Sequence, residues 1–277
     1  MKLRQNSKKE KQENMDDGLR EKLFTKQYTY GIMLAEMYVP NITRLIARCG
    51  FDFILIDCEH GYFDMSQVAN LIAVADGANI PVIVRVTQPS RTNITKYLDM
   101  GARGILLSDV GGREEALRLA DLCRYAPAGC RGISTFRAHT GYRSDHVQEL
   151  MAQANQRIVV ICQIESPYTV EHIDEITSIP GVDGVLIGPN DLSQHMGIFP
   201  HYDHPDIARA IHQVAQSAEK NGKFSGIITA NPLLLSLGRD NGMRCFSVGS
   251  ELNALCDGAT SQLQRAKQLL EKEVAAQ

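Results

Sequence analysis

Two carboxylates stand where apolar runs break into loops: Gln163-Ile164-Glu165 closes one β-rich segment, and Gly188-Pro189-Asn190-Asp191 follows the next. Delivered at the ends of neighbouring parallel strands, two such groups can meet and hold a hard divalent cation. Other strand ends carry chemistry too. Asp57-Cys58-Glu59-His60-Gly61 follows one apolar run, and Arg85 ends another.

The elements that position these groups are short apolar runs alternating with amphipathic stretches of helical period. Strands are predicted over 30–34, 53–57, 82–86, 104–107, 158–164, 184–187, 224–228 and 244–248. Helices are predicted at about 41–49, 64–76, 91–100, 112–124, 144–156, 167–178, 205–221, 231–240 and 251–273. Strands apolar on both faces and separated by helices make a parallel sheet, and eight such units at this length form a single-domain (β/α)8 TIM barrel. An open doubly wound sheet is the alternative. Against it, the first strand-to-helix turn has no GxGxxG, and the pair Gly111-Gly112 is a weak signal that more often marks a helix start. In a barrel, function sits in the loops after the carboxyl ends of the strands, where Asp57, His60, Arg85, Gln163, Glu165 and the 188–193 segment all fall.

Each of these residues also has a bland reading. Asp57 can cap the segment after it, Glu59 can pair with an arginine, and Arg85 can brace the barrel through a neighbouring carboxylate. His60 alone is more often a hydrogen-bonded histidine than a base. Asp191 can serve a helix start, and Glu165-Ser166-Pro167 looks like the ordinary opening of a helix. Their coincidence on one rim favours the functional reading.

Composition limits what that rim belongs to. The chain has 277 residues, 44% hydrophobic and 22% charged, enough for a large core. A net charge of -3 leaves no basic field for nucleic acid, although a small anion can still be served locally. Seven cysteines form no CxxC pair, and their odd number argues against a disulfide framework. No apolar stretch approaches the roughly 18 residues that cross a bilayer. Residues 1–26 are charged, lack the apolar core of a secretory signal and read as a mobile or partner-contacting extension; 27–277 is the barrel. A reducing cytoplasm fits these features.

From about Tyr28 to Gly258 the chain resembles the HpcH/HpaI aldolase family of metal-dependent pyruvate-type aldolases. The resemblance is carried by Leu55-Ile56-Asp57-Cys58-Glu59-His60, Pro81-Val82-Ile83-Val84-Arg85, the segment from Arg124-Tyr125-Ala126-Pro127 to Cys130-Arg131-Gly132, Gln163-Ile164-Glu165, and Gly184-Val185-Leu186-Ile187-Gly188-Pro189-Asn190-Asp191-Leu192-Ser193. It implies Glu165 and Asp191 as metal ligands, His60 as base and Arg85 as the contact to the substrate's keto oxygen. Gln163 would line the site, Asp57 would support it, and Asp99 would join the same network.

The physical chemistry agrees. Two carboxylates with open positions suit Mg²⁺, Mn²⁺ or Co²⁺, whereas zinc prefers more His or Cys. Such an ion, chelated by a 2-oxo acid, assists enolate formation as a Lewis acid. Arg85 can stabilise charge on the keto oxygen, and His60, ordinarily near pKa 6.5, can move a proton at the aldol hydroxyl. Backbone N–H groups around Pro189, Asn190 and Asp191 can bind the substrate carboxylate. The rival Schiff-base chemistry needs a pocket lysine. Lys96 falls in a helix, and Lys220 and Lys223 precede the seventh strand, at the wrong end of a barrel.

Two segments depart from the family pattern. Where a Val-Pro-x-Val turn is usual, the chain reads Leu107-Ser108-Asp109-Val110, and Ile133 to Thr140 is not the commonest form. The enolate half of the reaction is therefore better specified than its acceptor. The expected activity is reversible cleavage of a 4-hydroxy-2-oxo acid, of the sugar-acid or aromatic-degradation class, to pyruvate and an aldehyde. The alternatives are a metal-dependent synthase or decarboxylase using oxaloacetate, and a non-catalytic binding barrel. The last helix, carrying Leu252, Leu255, Leu263 and Leu269, can pack on its own barrel or a neighbour's, and the resemblance implies a hexamer that exchanges it between subunits.

Overall fold

The protein, here as a computed structural model, is described over residues 18–25 and 27–274. Eight parallel strands close on themselves in sequence order: β1 (Thr29–Leu34), β2 (Phe53–Asp57), β3 (Val82–Val86), β4 (Gly104–Leu107), β5 (Val159–Ile164), β6 (Gly184–Ile187), β7 (Phe224–Ile228) and β8 (Cys245–Ser250). Around them lie α1 (Leu19–Leu23), α2 (Ile42–Arg48), α3 (Met65–Asp76), α4 (Arg91–Met100), α5 (Arg113–Cys123), α6 (Val147–Arg157), α7 (Pro167–Glu171), α8 (Ile173–Thr177), α9 (Pro189–His195), α10 (Pro205–Lys220), α11 (Pro232–Asp240) and α12 (Glu251–Val274). This is the (β/α)8 barrel that the alternation of apolar runs predicts.

The strands bury both faces, which is why they read as continuous apolar runs rather than as alternating ones. Ile54, Val84, Ile105 and Val160 turn outward into the main core beneath the helices. Phe53, Leu55, Ile83, Leu106, Ile161 and Leu186 fill the barrel interior. Large inner side chains need small neighbours in the same layer. A Cβ on Gly31 would lie 2.2 Å from the Phe53 ring, and one on Gly184 would lie 2.4 Å from the Phe224 ring. Helix starts follow their sequence signals: Asp64 makes a capping box with Gln67, while Ser166 and Asn231 cap helices that open on Pro167 and Pro232.

Three elements differ from expectation. The helix predicted over 167–178 breaks at His172, whose backbone leaves the helical region at φ −100° and ψ 20°; its ring stacks on Tyr168 and hydrogen-bonds the Tyr168 carbonyl at 2.9 Å, beside the backbone bond to the same carbonyl at 3.0 Å. The segment after Gly188 is itself a two-turn helix, α9. The boundary expected at 26/27 also moves. Leu19 and Leu23 of α1 are buried against the interior cluster, and Arg20 pairs with Asp183 at 2.7 Å, so residues 19–25 belong to the barrel. The remainder of the expected extension, residues 1–17 and 26, lies outside the described residues.

Candidate active site

At the carboxyl rim the inward-facing positions change from apolar to charged. Asp57 ends β2 and pairs in register with Arg85 of β3, so two same-face neighbours form a buried ion pair. Arg85 donates from Nε to Asp57 Oδ1 at 2.9 Å and from Nη2 to Oδ2 at 2.7 Å, while Nη1 lies 3.0 Å from Glu59 Oε2. Asp57 Oδ1 also accepts the backbone N–H groups of Glu59 at 2.9 Å and His60 at 3.3 Å, which fixes the turn that carries His60. Burial pushes the Asp57 carboxyl up, but the Arg85 hydrogen bonds and charge, with the two backbone donors, hold it below the usual carboxylate range. The capping and bracing roles open to these residues are realised. They orient the loop and lock the guanidinium.

Across the barrel, β5 delivers Gln163 and Glu165, both buried. Glu165 Oε1 accepts from Gln163 Nε2 at 2.8 Å, and Oε2 accepts the Asp109 N–H at 2.7 Å. The His195 ring nitrogen Nδ1 donates to the Glu165 carbonyl at 2.8 Å. Burial, with the Asp191 and Glu59 charges adding to it, raises the Glu165 carboxyl to about 8, against the smaller opposing pull of the Asp109 N–H and Arg85. Gly188 lets this arrangement exist. A Cβ there would lie 2.0 Å from Glu165 Oε1 and 2.7 Å from Gln163 Nε2.

One cavity of about 380 Å³ collects Asp57, His60, Arg85, Gln163, Glu165, Pro189, Asn190 and Asp191. The expected metal ligands, base, arginine and substrate contacts therefore border the same space. Asn190 is partly committed elsewhere, because its Oδ1 accepts from Tyr202. Asp191 is half-buried, and among the described residues no group hydrogen-bonds its carboxylate. Asp99, expected in the same network, sits apart. Its Oδ1 accepts from Arg131 at 2.8 Å, beside His139.

Known proteins share this chain's sequence pattern and fold. The profile of the HpcH/HpaI aldolase/citrate lyase family matches residues 33–257. A 5-keto-4-deoxy-D-glucarate aldolase of Salmonella paratyphi A is 34% identical over 216 residues, covering 78% of this chain and 83% of that protein. Among solved structures, an HpcH/HpaI aldolase from Desulfitobacterium hafniense DCB-2 superposes with a TM-score of 0.84 at 29% identity, over 90% of this chain and 96% of that one. The citrate synthase SbnG gives 0.81 at 29% identity, over 92% and 98%. The chain belongs to the HpcH/HpaI aldolase/citrate lyase family.

It is a carbon–carbon lyase of the aldolase type. In this aldolase the departure at Leu107-Ser108-Asp109-Val110 places Asp109 at the turn after β4. Asp109 takes a left-handed φ of 38°, tolerable for Asp, and that turn aims its N–H at Glu165. Among the described residues no lysine borders the cavity. Lys223 instead binds the carbonyls of Ile179 at 3.0 Å and Val182 at 2.7 Å, away from the cavity, so among the described residues no amine stands where a Schiff base needs one.

Sequence reasoning missed the far side of the aldolase cavity: Met33, Ile228, Thr229, Ala230, Gly249, Ser250 and Asn253. Apart from Asn253, in the first turn of α12, these are ordinary small or apolar types at the ends of β1, β7 and β8. Only their position after a strand could have flagged them.

Proposed function

We propose that this aldolase reversibly cleaves a 4-hydroxy-2-oxo acid to pyruvate and an aldehyde, with a divalent cation held by Glu165 and Asp191. The observation that carries the reading is the buried Glu165, its carboxyl raised in the company of Asp191, in a cavity shared with Arg85 and His60 and bordered by no lysine among the described residues. The donors fit a hard cation: two carboxylates and a buried, partnerless Gln163 Oε1 are all oxygen, with no sulfur and no histidine cage. Mg²⁺, Mn²⁺ and Co²⁺ suit this set. Bound there, such an ion supplies Lewis-acid polarisation of the 2-oxo group.

The chain's own residues do the rest. Arg85 has five N–H donors and spends three on Asp57 and Glu59, so two remain for a keto oxygen. Held by Asp57, the guanidinium meets developing negative charge without reorganising. The first N–H groups of α9, on Asn190 and Asp191, have no intrahelical acceptor and can bind a carboxylate. His60 is exposed at the mouth, where it can take the proton from the 4-hydroxyl in cleavage and return it in condensation. Asp57, with both oxygens engaged, is a positioning residue.

The test is proton exchange at the pyruvate methyl group in deuterated water, followed by NMR, with chelator-stripped protein and single metals added back. Metal-dependent exchange and condensation with aldehydes are expected; no exchange with any metal overturns the reading. The likeness to SbnG, over 92% of this chain, favours as second reading a synthase using oxaloacetate and an acyl donor. Turnover confined to that pair would establish it.

Two wider features complete the proposal. Seven cysteines without a disulfide suit a reducing cytoplasm. The exposed α12 suits a homo-oligomer, a hexamer by resemblance, in which subunits exchange this helix.

A further inference from the structure

Resting on the cation reading above, we propose that His195 is a positioning residue: its ring pins α9 to the end of β5 and so sets Asp191 against Glu165 for the cation they share. The two carboxylates are held in different ways. Glu165 is fixed at its own side chain, by Gln163 Nε2 at 2.8 Å on Oε1 and by the Asp109 N–H at 2.7 Å on Oε2. Asp191 sits in the first turn of α9, a helix of seven residues, and its position follows that of the helix. A cation that takes an oxygen from each therefore depends on how α9 is placed against the end of β5.

Two successive carbonyls set that placement. The Ile164 carbonyl accepts the Gly188 N–H at 3.2 Å, at the entry to α9. The Glu165 carbonyl accepts from His195 Nδ1 at 2.8 Å, at the last residue of α9. The helix is thus clamped at both ends to the strand end that carries the first ligand, and the second clamp is made on the ligand residue itself. A carbonyl oxygen can only accept, so Nδ1 carries the proton of this bond. Between the clamps the helix buries Leu192 and Ser193, and Ser193 Oγ donates to the Asn190 carbonyl at 2.9 Å. The His195 ring is exposed, so core packing does not account for it. One hydrogen bond from an exposed side chain moves the stability of a whole barrel little, whereas a group that orients a metal ligand is typically worth about 10–100-fold in metal affinity. Those two magnitudes separate a positioning role from a merely structural one.

The test compares His195→Asn with His195→Leu. Asparagine carries an Nδ2–H as many bonds from the backbone as the histidine Nδ1, whereas leucine has the same branched shape and no donor. Mn²⁺ is titrated into the chelator-stripped full chain at one pH by isothermal titration calorimetry, and thermal melts of the metal-free variants run alongside. The Kd for Mn²⁺ should rise about tenfold in His195→Leu and stay within about threefold of wild type in His195→Asn. Both metal-free variants should melt within about 4 °C of wild type. His195→Ala, which adds no apolar bulk, carries the expectation of the leucine variant if that one does not fold. A Kd within about threefold of wild type in a variant without the donor overturns the assignment of His195 alone. Equal losses in the asparagine and leucine variants also overturn it, since the bulk of the ring and not its hydrogen bond would then be what counts. A loss of affinity accompanied by collapse of the metal-free melt makes His195 a structural residue and ends the positioning role. No binding of Mn²⁺ by the wild type removes the cation reading and this assignment together.

Discussion

Gly188 has no side chain because Glu165 occupies that space, and the pair gives a sharp test at the scale of single residues. Its φ of −95° is open to any L-residue, so Gly188→Ala should fold normally. A Cβ 2.0 Å from Oε1 must push the carboxylate aside, and kcat should fall about 100-fold or more, by the cost of misplacing a reacting geometry by an ångström. Steady-state assays beside a thermal melt separate the two outcomes. Glu165 itself makes cation binding pH-dependent. Its carboxyl is raised from an ordinary 4.5 to about 8. A raised pKa contributes stability that is fully present below the unfolded value and lost as pH rises through the folded one. Metal-free protein should therefore lose this contribution between roughly pH 5 and 8. A cation that binds the ionised form restores it, so the rise in Tm on adding Mg²⁺ or Mn²⁺ should grow across that window and level off above it. Differential scanning fluorimetry checks this, and Glu165→Gln should flatten the trend. The carboxylates, the histidine and the arginine were legible as residue types at strand ends. Gly188's service to Glu165 was not, because a glycine records its reason only in what lies beside it.

At the scale of elements, Glu251 joins the last helix to the first strand's loop. Its Oε1 accepts the backbone N–H groups of Ala35 at 2.9 Å, Glu36 at 2.7 Å and Met37 at 3.1 Å, while Oε2 is buried without a partner. Three successive donors on one oxygen make the start of α12 an anchor for the rim between β1 and β8. Glu251→Ala should cost about 2 kcal/mol or more through the unpaired donors, and should speed hydrogen exchange at residues 35–37 ahead of the rest of the barrel. Exchange mass spectrometry reads both. Five of the eight strands lie where the apolar runs predict them, because a strand buried on both faces announces itself as a run. The break at His172 and the helix after Gly188 were hidden, since one is a backbone change at a single residue and the other a helix too short to show a period.

For the whole molecule, α12 is the element that stands away from its own barrel. After Glu251 its residues are exposed through Glu271, and Leu255 and Leu263 are each 57% exposed, so the helix does not pack on its own barrel. Apolar side chains on a 24-residue helix call for a covering surface. Leu255→Asp with Leu263→Asp should shift the protein to a smaller species in analytical ultracentrifugation while leaving the barrel's far-ultraviolet circular dichroism in place. Unchanged mass would remove the helix from the interface. At the other end, α1 closes the barrel floor with Leu19 and Leu23. Surrounded by charge, those two leucines looked like part of a polar arm.

Sequence by itself determined the barrel, its strand ends and the identity of the groups at its rim, because burial on both faces and the change from apolar to charged residues are written along the chain. Tertiary structure alone decided which groups were already committed to one another. Asp57 is consumed by Arg85 and the His60 turn, whereas Asp191 remains open. It also decided that Thr229 and Asn253 close the cavity and that α12 leaves its own barrel. Those facts depend on distances across the sheet between residues far apart in the chain, and local patterns carry no record of such distances.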